Sequence, residues 1–174
     1  DFDAKATAYH GGTVSLGDYV KTLTLSAPSR SLAPSLETFG EALALESSLD
    51  FKRVESERAE MVGRLVKELD KDKTDDLLRW SAAYRSGQVR YAEFYTRLQD
   101  LCRENGVNPA AYPAMSEYIR YVLLSDRIDA ERLFTDMDAL EKTVYSRLAE
   151  TPEEKTLVSE SVRLRLTEKL VRFS

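Results

Sequence analysis

Apolar residues recur along this chain with the period of an α-helix. Between Pro113 and Ala149 they fall at Met115, Ile119, Val122, Ile128, Leu133, Met137, Leu140, Val144 and Leu148. Steps of three and four dominate that series, and no proline or glycine interrupts it. The spacing predicts one long helix over 113–149, about 55 Å at 1.5 Å per residue. A second series predicts another long helix over 34–71, through Leu36, Phe39, Leu43, Leu49, Val54, Met61, Leu65 and Leu69. Helices of such length need lateral support.

Shorter elements fill the rest. Residues 1–14 have no clear period and read as an extended lead-in closed by the turn signal His10-Gly11-Gly12-Thr13. Ser15 and Asp18 resemble a capping box and open a short helix through Leu23. The segment 26–35, SAPSRSLAPS, is a connector. Over 74–105 two short helices, expected to begin at Thr74 and to end at Ser86-Gly87 and Asn105-Gly106, form an antiparallel hairpin. Thr151-Pro152-Glu153-Glu154 is a capping box with proline at the first helical position, opening a last helix over 152–174. No strand pair is convincing.

The expected fold is therefore all-α. Two long antiparallel helices form an elongated bundle, with the hairpin at one end and the C-terminal helix packed back along the shaft. Residues 1–33 form an N-terminal segment, and 34–174 the bundle. Because Leu170, Val171 and Phe173 lie in an unfinished helix, the chain reads as a piece of a larger protein, with homo-oligomerisation through that helix one outcome.

The two long series also share a string. At an offset of 79 residues, Leu49-Asp50-x-x-Arg53-Val54 matches Ile128-Asp129-x-x-Arg132-Leu133, which suggests an internal duplication. In antiparallel helices, Asp50 would face Arg132 and Arg53 would face Asp129, reciprocal ion pairs that set register. The competing arrangement is local pairing within each helix.

Charge narrows the function classes. The formal net charge is −5 and the basic residues are dispersed, which argues against nucleic-acid binding. No apolar run is long enough to span a membrane. The lone Cys102 rules out an intrachain disulfide and reads as a buried, inert thiol. It leaves the cytoplasm preferred, with secretion behind a removed leader still open.

Candidate chemistry is sparse. His10 is the only histidine, too few for a di-iron bundle or a zincin site. His10-Gly11-Gly12 has the form of an oxyanion loop, but no G-x-S-x-G accompanies it, and an exposed turn is the simpler reading. Asp75-Asp76 lacks the third carboxylate of a D-D-x-x-D metal site, Arg79 standing there instead. Asp136 and Asp138 point apart on a helix. No phosphate loop occurs, and no cofactor or metal is expected.

Six of the nine tyrosines, Tyr84, Tyr91, Tyr95, Tyr112, Tyr118 and Tyr121, cluster with Trp80 and Phe94. They are either core, with hydroxyls at the surface, or a recognition tip. Trp80, Tyr84, Tyr91, Phe94 and Tyr95 are the candidate partner-binding residues. The preferred function is a non-catalytic interaction or scaffold domain that binds a protein partner or flanking domains of its own chain. A helical small-molecule sensor is the alternative, and an enzyme of unrecognised type the third reading.

Overall fold

Two aspartates decide the architecture. In the computed structural model, which describes residues 2–27 and 32–161, neither long apolar series forms a single helix. The first divides into α3 (Pro34–Ser48) and α4 (Phe51–Glu68), the second into α7 (Pro113–Asp126) and α8 (Ala130–Leu148). Asp50 and Asp129 sit at the breaks with extended backbone (φ −87°, ψ 92° and φ −88°, ψ 112°). Each carboxylate accepts the N–H three residues on, from Arg53 at 3.1 Å and Arg132 at 3.0 Å. These are N-caps. Leu49 and Ile128 precede them, and Val54 and Leu133 follow four positions into the helix, the residue pattern of a hydrophobic staple. The string shared at an offset of 79 residues thus falls on two helix starts, each capped by its aspartate.

The other elements are α1 (Phe2–His10), α2 (Leu16–Ser26), α5 (Lys71–Arg85), α6 (Tyr91–Glu104) and a single 3-10 turn at Pro109–Ala111. Helical backbone resumes over 152–161, where Thr151 and Glu154 exchange capping bonds as expected. Among the described residues all regular structure is helical. Leu170, Val171 and Phe173, on which the fragment expectation rests, lie outside them.

Two further expectations are corrected. Residues 2–10 are helical rather than extended, and Gly12 (φ 76°) ends that helix by letting the Thr13 N–H reach the Ala8 carbonyl at 2.9 Å. Helix α5 begins earlier than Thr74, because Asp70 accepts the Lys73 N–H at 2.8 Å and makes the better cap.

The chain organises into two compact units, one of residues 1–37 and 129–174, the other of 38–128. In the first, α2 packs on α1 and on α8, burying Ala6, Tyr19, Val20, Leu23, Leu133, Met137 and Val144. In the second, α7 packs on α4 and α6, and α5 on α6. Met61, Leu65, Leu98, Cys102, Met115 and Ile119 form its centre. Gly106 (φ 73°) turns the chain after α6, so that the Val107 N–H bonds the Cys102 carbonyl at 2.8 Å and Val107 enters the core. Helix α7 has Pro113 in its first turn and no capping side chain of its own. Glu57 of α4 does that work, accepting the Met115 N–H at 3.0 Å. Burial alone would raise the Glu57 carboxyl, but the Met115 N–H, the Arg53 guanidinium and the Ala114 N–H together hold it below the usual range.

Candidate functional site

The five expected tip residues lie on α5 and α6, joined across 86–90 by a loop too short for anything but an antiparallel return. Tyr84 gathers three of the others. Its ring meets Tyr91 edge-on at 5.0 Å, stacks on Phe94 at 4.4 Å and meets Tyr95 edge-on at 5.9 Å. The ladder continues from Tyr95 to Tyr118 at 5.4 Å and from Tyr118 to Tyr121 at 6.3 Å. Exposure falls steeply from its outer end to Tyr95. Tyr91 is 61% exposed, Tyr84 and Phe94 are half-buried, and Tyr95 is 2% exposed. Tip and core belong to one stack of rings, with buried Tyr95 held between half-buried Tyr84 and Tyr118. Burial, and then the Tyr84 and Tyr118 hydroxyls, push the Tyr95 phenol far above its usual range.

Trp80 lines a cleft between the same two helices. Leu77, Leu98 and Leu101 are its buried floor, Trp80 and Phe94 its half-buried walls, and Lys73 and Arg97 its exposed cations. The enclosed volume is about 30 Å³, far below the roughly 300–1,000 Å³ of small-molecule sites. Asp76, also at the cleft, is ion-paired with Arg79. The Lys73 ammonium donates to the neutral Asn105 side chain at 3.1 Å. Arg97 has no side-chain partner among the described residues. A wider groove of about 390 Å³ lies along α7, bordered by Ile119, Leu123, Gln99 and Arg127, with the Arg120–Glu41 ion pair on its rim.

A second cluster escaped the sequence reading. Glu141 of α8 is 6% exposed, the one charged residue buried among the described residues. Its Oε2 accepts the Tyr19 hydroxyl at 2.5 Å and lies 3.1 Å from His10 Nε2. The Tyr9 ring stacks on Tyr19 at 4.2 Å. Burial first, then the Asp138 and Glu141 charges, raise the Tyr9 phenol. His10 is therefore not a bare turn residue: with Tyr19 it ties α1 and α2 to α8. The signal was present, since Glu141 lies four residues after Met137 and three before Val144, on the apolar face of the helix.

The remaining candidates take local roles. Arg53 pairs with Glu57 at 2.8 Å and Arg132 with Asp136 at 3.9 Å, while Asp50 and Asp129 cap their own helices. Cys102 is fully buried, and burial pushes its thiol up to about 11. Among the described residues no group of three or more histidine, cysteine, aspartate or glutamate side chains is placed to hold a metal ion. None of their helices is long and apolar enough to cross a membrane.

What the fold defines is an all-α protein with an aromatic helical hairpin. Comparison with protein families, characterised proteins and solved structures finds no significant match.

Proposed function

We propose that this chain is a non-catalytic interaction domain and that the α5–α6 hairpin is its contact face. The observation that carries the reading is the graded ring stack. Tyr91 stands 61% exposed on a base formed by Tyr84, Phe94 and buried Tyr95. An exposed ring already fixed by packing loses little side-chain freedom on binding, which is what makes aromatic residues effective interface anchors. Leu78, on the same hairpin, is also largely exposed. The contact would be with a protein partner or with flanking domains of the same chain.

The test is site-specific photocrosslinking in cells, with benzoylphenylalanine at Tyr91 and, as control, at the exposed Thr143. A discrete adduct from position 91, absent from 143 and reduced by Tyr84→Ala, supports the reading. Equal or no adducts from both positions overturn it.

A small-molecule sensor is favoured by one feature only, the 390 Å³ groove along α7. Its volume falls within the small-molecule range, and Arg127, without a side-chain partner among the described residues, would meet an anionic group. A thermal-shift screen of small carboxylates and phosphates checks it. A hit abolished by Arg127→Ala would favour the sensor over the interaction domain.

A further inference from the structure

The cleft beside the aromatic stack differs from it in one respect: it carries unspent positive charge. Leu77, Leu98 and Leu101 give it an apolar floor, with Trp80 and Phe94 as walls. Of the charged groups around it, Asp76 is taken by Arg79, whereas Lys73 meets only a neutral amide and Arg97 meets nothing among the described residues. An apolar surface flanked by two uncompensated cations is complementary to apolar side chains flanked by carboxylates.

The shape of the occupant follows from the frame. The cleft runs between two helices, from Lys73 to Trp80 on one and from Phe94 to Leu101 on the other. Seven residues of helix measure about 10 Å, which matches two turns of a third helix laid alongside. Helix backbones offer no edge to which an extended peptide could add as a strand, so recognition would come through an apolar helix face. The enclosed volume is too small for a deeply inserted group, so the helix would rest on the rims formed by Trp80 and Phe94.

We propose that the α5–α6 cleft receives a short amphipathic helix of a partner protein, whose apolar stripe is bordered by carboxylates that meet Arg97 and Lys73. The proposal rests on the interaction-domain reading and adds the class of partner. Its affinity falls with added salt, because the charged contacts lie at the exposed rim.

Trp80 is the only tryptophan in the chain, so its emission reports occupancy directly. The experiment pans a phage-displayed library of random 16-residue peptides against the full 174-residue chain. Enriched tryptophan-free peptides are then titrated while Trp80 emission is followed. The expected result is enrichment of peptides with leucine, isoleucine or phenylalanine at spacings of three and four beside aspartate and glutamate. These shift Trp80 emission. Arg97→Glu and Lys73→Glu each weaken them about tenfold, a hot-spot-scale loss. Both charge reversals are at exposed positions, and far-UV circular dichroism confirms that the helices persist. Arg97→Ala, which adds no repulsion, should retain part of the loss.

Basic or aperiodic peptides, unchanged Trp80 emission, affinity indifferent to Arg97, or no enrichment at all would each overturn the assignment. The crosslink from position 91 is read independently, so an interaction domain that fails the peptide test keeps the first reading and loses the second.

Discussion

Each compact unit contains a cluster of tyrosines, and the two clusters terminate differently. In residues 38–128 the rings of Tyr84, Phe94, Tyr95 and Tyr118 pack on one another, and the Tyr84 and Tyr95 hydroxyls are as far apart as 3.5 Å. In the unit of α1, α2 and α8, Tyr19 ends on the buried carboxylate of Glu141 at 2.5 Å. The first arrangement draws on area and ring geometry, which degrade gradually when altered. The second depends on keeping a buried charge supplied with donors, and losing one exposes the cost of desolvation. The same residue type is thus forgiving in one unit and brittle in the other.

Deleting single hydroxyls is the sharpest way to break that contrast. Tyr19→Phe removes a donor from Glu141 and should cost about 1–3 kcal/mol. Tyr95→Phe loses only a long 3.5 Å bond to half-buried Tyr84 and should cost less than about 1 kcal/mol. Urea melts followed by circular dichroism measure both, and equal losses would dissolve the comparison.

The helix breaks should show no contrast, because the two units use one device. Asp50→Ala and Asp129→Ala are each expected to cost about 1 kcal/mol. A ratio above about three between them would mean that one aspartate does more than cap. The reciprocal pairing expected from sequence is decided in the same melts. Caps acting locally make Asp50→Ala and Arg132→Ala additive within about 0.5 kcal/mol, and a larger coupling would restore the ion pair.

Alkali probes the stacked unit again. The Cys102 thiol, ordinarily near 9.0, is held protonated to about 11 by burial. Above pH 9 the unfolded chain therefore binds fewer protons than the folded one, and stability falls as pH rises from about 9 to about 11. The raised Tyr95 and Tyr118 phenols act in the same direction. The smallest expected signal is chemical: without denaturant at pH 8, Cys102 should resist a thiol reagent that modifies it at once in urea. Rapid reaction of the folded chain would contradict the burial.

The all-α class and the stops at Gly87 and Gly106 were legible because local chemistry decides them. The helix breaks were legible too, in the apolar series themselves. From Ile128 the next apolar position is Leu133, a step of five, and the series also steps by five from Leu49 to Val54. No straight helix keeps one face through such steps. Glu141 was hidden for a different reason. A charge on an apolar face is tolerable only when donors arrive from elsewhere, and Tyr19 and His10 lie more than 120 residues away in the chain. The aromatic cluster was visible as composition, but which end of it meets solvent depends on how α5, α6 and α7 pack.

One bond also bears on the order in which the structure forms. The amide of Met115 is satisfied by Glu57, 58 residues earlier, where most helices use a neighbouring side chain. The first turn of α7 is consequently contingent: before α4 docks, its amides face water and its start frays. Closing so long a loop costs entropy before the contact returns any, and a bond that forms after the folding barrier leaves the climb untouched. In kinetic terms, Glu57→Gln should accelerate unfolding and leave the refolding rate nearly unchanged. Slow hydrogen exchange at Met115 would then report on the docking of another helix rather than on the intrinsic helicity of its own.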